Sequence, residues 1–407
     1  MNLSEQLKNA LNPNFLKIIE LSGKNADLYG VNAYIIGGVV RDLLLNEPIY
    51  DIDIVIEGNA IDFCNFLQEN KICQIIRTAK NFGTTKIKFN TIDDFIIDFA
   101  STRTEIYPKA GHLPVIEKIG CSLKEDILRR DFSVNSLAIN INSSKFGELI
   151  DYTGGLEDIE KKELKILHEK SFIDDPTRII RGLRFCHKLG FKLEKNTQNL
   201  QNEYLSKFDN NDICYERIKQ VIKLAFNLNS TELFDDFIEK NIYKLLCQKT
   251  RQIKGQTLFE IINKNKKYVS NENIWLIYLS AILTPNDLSK FNLSAKETLI
   301  IESIDEYLKI SPKLCSNFDI YNFFKNKPLE ATITCCLFDK KTKAQKFLNE
   351  LINIKPILTG KDLLSMGFST GQIIGEVLLF IIKEKLDGKL QTKEEEINFA
   401  MQFLNIK

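Results

Sequence analysis

The sequence predicts an α+β protein whose N-terminal part contains a mixed β-sheet with helices and whose remainder is all-helical. Short β-branched runs recur between residues 30 and 142. From about residue 155, apolar residues follow helical spacing instead. Glycine and proline are sparse beyond residue 200, which indicates a compact helical array. A chain of 407 residues is long enough for two to four domains at roughly 100–200 residues each.

The composition narrows the class of protein. Hydrophobic residues make up 44% and charged residues 27% of the chain, a balance typical of globular proteins. No apolar run approaches the ~20 residues that a membrane-spanning helix needs, and the N-terminus lacks the pattern of a secretion signal. The net charge of +1 excludes a uniformly basic surface, so a nucleic-acid partner would require local basic patches. We therefore expect a cytoplasmic protein without a membrane partner.

The cysteines give no sign of a metal centre. The chain has nine cysteines and three histidines, and no cysteine pair has the CxxC spacing of a zinc site. An odd number of cysteines without a secretion signal favours reduced thiols. We expect nearly all of them to act as small buried apolar residues.

The elements can be predicted in chain order from these patterns. Strand-length β-branched runs bounded by Gly, Asn or Asp predict strands at 34–36, 52–56, 84–87 and 95–97. Helical apolar spacing predicts helices at 39–45, 60–68, 123–128, 216–226, 230–240 and 274–283. Another helix is predicted to begin with an Asp cap at 174–175 and Pro176 in its first turn.

A pair of glycines separates the first predicted strand from the helix that follows it. Gly37 and Gly38 allow the backbone to approach a ligand closely, and a helix N-terminus favours anions. Arg41, one turn into the helix, can add a charged fork for a phosphate oxygen. The pattern predicts a phosphate site, and an ordinary Gly-Gly turn is the alternative.

Three aspartates on predicted strands are candidates for a metal site. Asp51 and Asp53 are two residues apart on one predicted strand, so their side chains point to the same face. Asp98 lies between apolar residues of another strand, where burial without a partner would be costly. Hard carboxylate oxygens suit Mg²⁺, and a third carboxylate would complete a two-metal site for phosphoryl transfer. Solvated or strand-capping aspartates are the alternative.

Two arginine-containing segments offer partners for a nucleotide. In the segment 129–135, Arg130 can hold a triphosphate, while Asp131 and Asn135 can bind ribose hydroxyls. The other segment begins at Asp174 and continues along one predicted helix. Its Asp–Arg combination offers acceptors and donors that can match the pairing edge of a base. The alternative is a capped helix with intrahelical ion pairs worth only ~0.3–0.5 kcal/mol each. The candidate residues of this second segment are Asp175, Arg178, Arg181 and Arg184.

The order of these motifs resembles the class II tRNA nucleotidyltransferases, that is, the bacterial CCA-adding enzymes and their poly(A) polymerase relatives. The resemblance is nearly continuous from residue 34 to about 225 and returns at 356–393, while the stretch between is assigned by position only. The motifs that carry it are Gly-Gly-x-Val-Arg-Asp at 37–42, Asp-x-Asp at 51–53, Arg-Arg-Asp-Phe-Ser-Val-Asn at 129–135, Gly-Gly-Leu-Glu-Asp at 154–158 and Asp-Asp-Pro-Thr-Arg-x-x-Arg at 174–181.

The resemblance implies a domain organisation and a reaction. It implies a nucleotidyltransferase palm at 1–145, a helical neck with base recognition at 146–230, a helical body at 231–350 and a tRNA-binding tail at 351–407. The implied reaction is attack of a tRNA 3′-hydroxyl on the α-phosphate of CTP or ATP, with release of pyrophosphate. The implied cofactor is Mg²⁺ in a two-metal site, and DNA is not an expected partner.

The resemblance also implies a role for each candidate residue. Asp51, Asp53 and Asp98 would be the catalytic metal ligands. Asp175 and Arg178 would pair with the incoming base in place of a nucleic-acid template. The residues that would bind the triphosphate, the ribose and the primer end are Gly37, Gly38, Arg41, Arg130, Asp131, Asn135, Arg181 and Arg184.

The motifs leave the exact activity open. A full CCA-adding enzyme, a partial enzyme that adds only CC or only A, a poly(A) polymerase and an inactive RNA-binding scaffold all fit a palm of this kind. An intact loop at 101–117 disfavours CC-only addition, and the near-neutral charge disfavours poly(A) polymerase. Asp174 stands where many members carry Glu, which shortens its reach towards Arg178. The oligomeric state is not predicted.

Overall fold

The computed structural model describes residues 1–92, 95–109, 111–208, 213–251, 253–339 and 342–404. It confirms the predicted fold class, because a mixed sheet with helices is followed by a mostly helical remainder. The strands of the described residues are β1 (Asn32–Ile36), β2 (Asp53–Glu57), β3 (Cys73–Ala79), β4 (Thr84–Phe89), β5 (Ile96–Ser101), β6 (Arg103–Ile106), β7 (Val115–Ile119), β8 (Ala138–Asn140), β9 (Leu149–Ile150), β10 (Glu163–Leu164) and β11 (Lys192–Leu193).

The helices begin before the sheet and continue to the end of the described chain. A π-helical turn, Phe347–Leu351, follows directly on one of them. The α-helices are α1 (Ser4–Ala10), α2 (Pro13–Tyr29), α3 (Gly38–Leu44), α4 (Ala60–Glu69), α5 (Leu123–Leu128), α6 (Gly155–Glu160), α7 (Ser171–Asp174), α8 (Thr177–Leu189), α9 (Lys195–Lys207), α10 (Tyr215–Phe226), α11 (Thr231–Glu239), α12 (Gly255–Lys264), α13 (Ile274–Ile282), α14 (Ala295–Ile310), α15 (Asn317–Phe324), α16 (Leu329–Cys335), α17 (Lys343–Lys346), α18 (Gly360–Ser365), α19 (Gln372–Leu386) and α20 (Lys393–Leu404).

The main sheet has seven strands in the order β3-β4-β5-β2-β1-β8-β9. Only β2 and β5 pair in parallel, and the other neighbours are antiparallel. Helices α2 and α4 pack on the sheet, and α5 adds Leu123 and Ile127 to a buried cluster with Tyr34 and Val55. The central β1 and β2 are apolar on both faces, as strands covered by other elements should be.

Most predicted elements are present with ends shifted by one or two residues. The strand β3 was not predicted, because its sequence mixes polar and apolar residues without clear alternation. The segment 101–117, which was expected to be a loop, instead contains most of the antiparallel hairpin formed by β6 and β7. Ala110, which falls between these two strands in the sequence, lies outside the described residues.

The chain divides into two compact units. The first comprises Met1–Val221 with Lys240–Leu245 and contains the sheet. The second comprises Ile222–Glu239 with Leu246–Lys407 and is helical. The finer predicted boundaries near 145, 230 and 350 stay predictions. All nine cysteines are free thiols, and no helix among the described residues has the length and apolarity needed to cross a bilayer.

Candidate active site

The first unit contains a cavity of about 610 Å³, a size suited to a nucleotide-sized ligand. Of the described side chains, eight basic and four acidic ones line it, so it favours an anion. Eleven of the thirteen sequence-predicted site residues lie in its wall: Gly37, Gly38, Arg41, Asp53, Arg130, Asp131, Asn135, Asp175, Arg178, Arg181 and Arg184. The other two, Asp51 and Asp98, are neighbours of Asp53 outside the wall.

The glycine pair forms the turn between β1 and α3. Gly37 has φ 85° and ψ −128°, a conformation that L side chains rarely adopt, which accounts for the glycine. A Cβ on Gly37 would lie 3.5 Å from Nη1 of Arg130, and one on Gly38 would lie 3.5 Å from Nη2 of Arg41. The backbone of the turn therefore passes directly beside two guanidinium groups.

Arg41 is buried and held by two partners. Its Nε and Nη2 donate to Oδ1 of Asp42 at 2.8 and 2.6 Å, and its Nη1 donates to Oδ1 of Asn135. Its side chain is only 4% exposed, so the guanidinium has little freedom to move. The predicted phosphate-binding arginine is thus fixed before any ligand binds.

The two aspartates of the Asp-x-Asp motif lie on the same side of the chain, although β2 begins only at Asp53. Ile52 between them is fully buried while both aspartates are exposed, which keeps the two carboxylates together. Asp53 is the register partner of Asp98 in the parallel pairing of β2 with β5. The sheet therefore brings the three predicted carboxylates to one place.

The charges around Asp53 oppose its ionisation. The surrounding protein displaces water and raises the pKa of Asp53, and the carboxylates of Asp51 and Asp98 raise it further, against the opposing effects of Arg130 and Lys86. Lys86 of β4 forms a 2.6 Å ion pair with Asp98. Among the described residues, no group of three or more His, Cys, Asp or Glu side chains is arranged as a ready metal cluster. The pair Asp51 and Asp53 nevertheless offers exposed hard oxygens whose repulsion a divalent cation would relieve.

The adjacent arginines 129 and 130 share a buried carboxylate that the sequence reasoning missed. Helix α5 begins with a capping box between Ser122 and Glu125, which directs Asp126 inward. Asp126 is fully buried and pairs with Arg129 at 2.7 Å and Arg130 at 3.0 Å. Burial acts to raise the pKa of Asp126, but the two guanidinium groups outweigh it and lower the pKa. The signal for this arrangement was an aspartate three and four residues before two arginines on a helix.

Asp131 and Asn135 complete a line of hydrogen bonds from α3 to α8. The Asn135 oxygen accepts from Arg41, and its Nδ2 donates to Oδ1 of Asp131 at 3.2 Å. Oδ2 of Asp131 accepts from Nε of Arg181 at 3.0 Å. Burial alone would raise the pKa of Asp131, yet Arg181 and the hydrogen bonds lower it. The network fixes the distance between two arginines that come from different helices.

Asp175 caps α8, although the helix begins at Thr177 with Pro176 in the cap position. Its Oδ1 accepts from the backbone N of Thr177 at 3.1 Å, and its Oδ2 accepts from Nη2 of Arg217 at 2.5 Å. Arg178 does not pair with Asp175 in the described structure; its Nη2 donates to the Arg129 carbonyl at 2.9 Å. The structure therefore contains the helix cap by Asp175, but not the intrahelical ion pair between Asp175 and Arg178 that was considered as an alternative.

Several wall residues were not predicted as site residues. Arg129 lies within the quoted motif at 129–135, and Glu105, Tyr107 and Arg217 lie in the segments 103–108 and 215–218, which also resemble the family, so the signal was present in the sequence. Lys188 gave no signal of its own. Phe185 was recognised only as part of the apolar stripe of α8, but it lies in the wall and contacts three of the arginines.

Residues 33–165 match a protein-family model described as the poly A polymerase head domain. The A-adding tRNA nucleotidyltransferase of Aquifex aeolicus is 33% identical over 351 residues, covering 80% of this chain and 41% of the relative. That of Geobacter sulfurreducens is 29% identical, covering 93% and 46%. That of Halalkalibacterium halodurans is 27% identical, covering 100% and 96%. The chain thus spans less than half the length of the first two relatives.

Solved structures are similar over nearly the whole chain. An apo form of a CCA-adding enzyme has a TM-score of 0.83 at 27% identity and 99% coverage of both chains. The Thermotoga maritima CCA-adding enzyme complexed with tRNA_CCA has a TM-score of 0.77 at 25% identity and 99% coverage of both chains. A CCA-adding enzyme complexed with CTP has a TM-score of 0.79 at 25% identity, covering 100% of this chain and 98% of that one.

These similarities cover the parts of the molecule from which the cavity is built. The matched head domain contains the glycine turn, the paired aspartates and the arginine segment, and the structural similarity continues through Asp175 and the helix that carries Arg178. Sequence motifs, fold and relatives agree: the chain is similar to the class II tRNA nucleotidyltransferases, in its head domain by sequence and over nearly its whole length by structure.

Proposed function

We propose that this protein adds C and A, from CTP and ATP, to the 3′ end of tRNA without a nucleic-acid template, so that it synthesises or repairs the CCA end. The proposal depends mainly on one observation. The glycine turn, Asp53 and the pair Asp175 and Arg178 all line the same basic cavity. The substrates are supported by similarity to CCA-adding enzymes solved with tRNA and with CTP.

Similarity to the family implies dependence on a divalent metal, and the finer proposal is Mg²⁺ in a two-metal site. Asp51 and Asp53 would supply carboxylate oxygens, and Asp98 lies in register beside Asp53. When bound, Mg²⁺ would stabilise the negative charge that develops on the transferring phosphate and activate the attacking hydroxyl. The raised pKa of Asp53 supports this assignment, because close carboxylates are stabilised by a cation between them.

The arginines of the cavity would position the triphosphate. Arg41, Arg181 and Arg184 approach the cavity from two helices, while Arg130 lies beside the glycine turn. Positioned in this way, the 3′-oxygen of tRNA forms a bond to the α-phosphorus as the bond to the bridging oxygen of the β-phosphate breaks. Pyrophosphate leaves with the charge that the guanidinium groups stabilise.

Asp175 and Arg178 would select the base. Cytosine and adenine each present an amino donor beside a ring-nitrogen acceptor, whereas uracil and guanine present a carbonyl beside an N–H. A carboxylate that accepts and a guanidinium that donates match the first pattern and leave unpaired groups against the second. In the structure both side chains already have protein partners, so each is held in place at the cavity wall.

The test is extension of three tRNA primers, ending before CCA, after C and after CC, by purified protein with Mg²⁺. Each primer is supplied with CTP, with ATP or with both, and products are resolved on a gel. We expect ordered growth to CCA from every primer when both nucleotides are present. No incorporation on any primer would refute the proposal and favour the inactive scaffold.

A-only addition is the second candidate, because three of the relatives are named A-adding tRNA nucleotidyltransferases. It predicts growth only from the primer ending in CC and only with ATP. Long A tails on unrelated RNA would instead indicate a poly(A) polymerase. The cytoplasmic location and the absence of a DNA partner stay predictions.

A further inference from the structure

Phe185 occupies a position in the cavity that the proposed reaction does not use. It lies on α8, its side chain is 6% exposed, and its ring forms part of the cavity wall. The fully buried Phe132 packs against it edge to face, with ring centres 6.1 Å apart and planes at 85°. A Cβ on Gly182 would lie 3.1 Å from the Phe132 ring, so this ring has little room to shift. Phe185 is therefore a well-anchored aromatic surface.

Three guanidinium groups surround the Phe185 ring. The Cζ atoms of Arg41, Arg181 and Arg184 lie 5.1, 5.7 and 4.6 Å from its centre. All three distances are within the ~6 Å at which a cation is attracted to an aromatic face. Arg41 comes from α3 and the other two from α8, so one ring joins basic groups from two elements.

The three arginines differ in how their charge is balanced. Arg41 pairs with Asp42, and Arg181 pairs with Asp131. Arg184 has no ion pair with a carboxylate in the part of the chain that the structure describes. Burial, together with repulsion from Arg181 and Arg41, lowers the pKa of Arg184 to about 10. The cluster therefore holds more positive charge than its own carboxylates balance, which suits a ligand with several negative charges.

We propose that Phe185 is a positioning residue that holds Arg41, Arg181 and Arg184 in the arrangement that receives the triphosphate. The inference rests on the proposed function for the identity of the ligand, but the contacts that carry it belong to the apo protein. Asp42, Asn135 and Asp131 already hold Arg41 and Arg181, so the aromatic face matters most for Arg184, which its two neighbours repel. Without the ring, Arg184 would have to be brought back against this repulsion when the triphosphate binds. Because the ring lies against the arginines assigned to the triphosphate, we expect its effect to be the same for CTP and ATP.

The test compares Phe185→Leu, which keeps an apolar side chain but removes the ring, with Phe185→Tyr, which keeps the ring. Binding of inorganic tripolyphosphate, CTP and ATP is measured by calorimetry on the full chain, so the readout does not depend on transfer. We expect Phe185→Leu to weaken all three ligands by the same factor, between about fivefold and thirtyfold, and Phe185→Tyr to restore binding. In transfer assays the KM for both nucleotides should rise more than kcat falls.

The matched control is Phe191→Leu, which removes another buried ring next to α8 but one that contacts no arginine of the cluster. It should leave tripolyphosphate binding unchanged. If Phe185→Leu unfolds, Phe185→Met serves as a longer apolar replacement and should show the same loss. Unchanged tripolyphosphate binding in the folded variant, a loss specific to one base, or an equal loss in Phe191→Leu would overturn the inference. Failure of the proposed function is a separate result, namely wild-type protein that binds tripolyphosphate but extends no tRNA.

Discussion

The Asp53 carboxylate lies beside Asp51 and Asp98 at the edge of a cavity rich in arginine. Its raised pKa means that the folded protein binds its proton more tightly than the unfolded chain does. Ionisation of Asp53 therefore costs folding free energy, and this cost appears as the pH rises through the raised pKa. A functional group that is unfavourable for stability is common where a ligand must be bound.

For Asp53 we predict that loss of the carboxylate stabilises the metal-free protein. In metal-free buffer at pH 7, Asp53→Asn should raise Tm relative to wild type, because it removes a carboxylate from a repelling group. The difference should shrink as the pH falls and Asp53 becomes protonated in the wild type. Thermal melts in EDTA between pH 4 and 8 measure it, with the exposed Glu47→Gln as a control for loss of one negative charge. A variant less stable than wild type at pH 7 would contradict the account.

Single residues were predictable where their type is unusual for their position. Paired glycines, alternating aspartates and spaced arginines each stand out along the chain, and they meet at one cavity. Asp126 and Phe185 did not stand out, because an aspartate on a helix and a phenylalanine in an apolar stripe look ordinary. Their importance comes from contacts with guanidinium groups that only the folded chain brings around them.

At the scale of elements, α5 and the turn after it are organised around one buried charge. Asp126 accepts from Arg129 and Arg130, and Arg129 also pairs with Glu105 of β6 at 3.1 Å. The Arg129 carbonyl in turn accepts from Arg178 of α8. The position of Arg178, which we propose reads the base, therefore depends on a helix that does not itself line the cavity.

Asp126→Asn should destabilise the protein by about 3–5 kcal/mol, because it removes the buried carboxylate that two partly buried guanidinium groups share. Urea unfolding followed by circular dichroism measures the change, and the exposed Lys124→Gln on the same helix is the control, expected to change stability little. Since the folded-state pKa of Asp126 is lowered, its stabilising contribution is complete above the ordinary value of 3.8 and is lost as the pH falls below it. A penalty of the same size at pH 7 and pH 3 would contradict the ion-pair explanation.

Arg217 of α10 joins the segment between β6 and β7 to Asp175, which we propose reads the base. Arg217 pairs with Asp175, and its Nη1 donates to the carbonyl of His112 at 2.7 Å. The backbone N of Gly111 donates to the carbonyl of Asp174 at 3.0 Å. These contacts fix both the tip of the hairpin and the carboxylate that would read the base.

Arg217→Met should lower kcat/KM for CTP and ATP by about tenfold to a hundredfold, because it leaves the buried Asp175 carboxylate without its cation. Discrimination against UTP and GTP should fall as well, since Asp175 would no longer be held in one orientation. Single-nucleotide incorporation kinetics measure both effects. Lys223→Met on the same helix removes a matched charge at an exposed position and should keep wild-type selectivity. Equal selectivity in the two variants would show that Arg217 does not position Asp175.

Elements were predictable where hydrophobic periodicity is strong. The strands β1 and β2 and the helices α4, α5 and α10 stood out because their apolar residues are closely spaced. The hairpin at 103–119 did not, because its strands are partly exposed and carry charged residues such as Arg103 and Glu105. Pairing between its two strands supplies the regularity that the local sequence lacks.

At the scale of the whole molecule, the two units differ in content, because the cavity belongs to one of them. The first unit contains the complete cavity, since every wall residue falls within Met1–Val221. The second is built from helices around apolar clusters, such as the one that includes Leu363, Phe368 and Ile381. Helical spacing predicted its class, but a near-neutral helical sequence does not reveal how its helices pack. Its role in holding tRNA stays a prediction.

The central claim is that the carboxylates of the first unit carry nucleotide transfer and are not needed to hold tRNA. The most direct test measures transfer and tRNA affinity on the same preparations of wild type and of Asp51→Asn/Asp53→Asn, with Mg²⁺, CTP, ATP and tRNA that lacks its CCA end. We predict that the double variant loses about a thousandfold or more in the transfer rate, while its affinity for tRNA stays that of the wild type. Transfer at the wild-type rate by the double variant would contradict it.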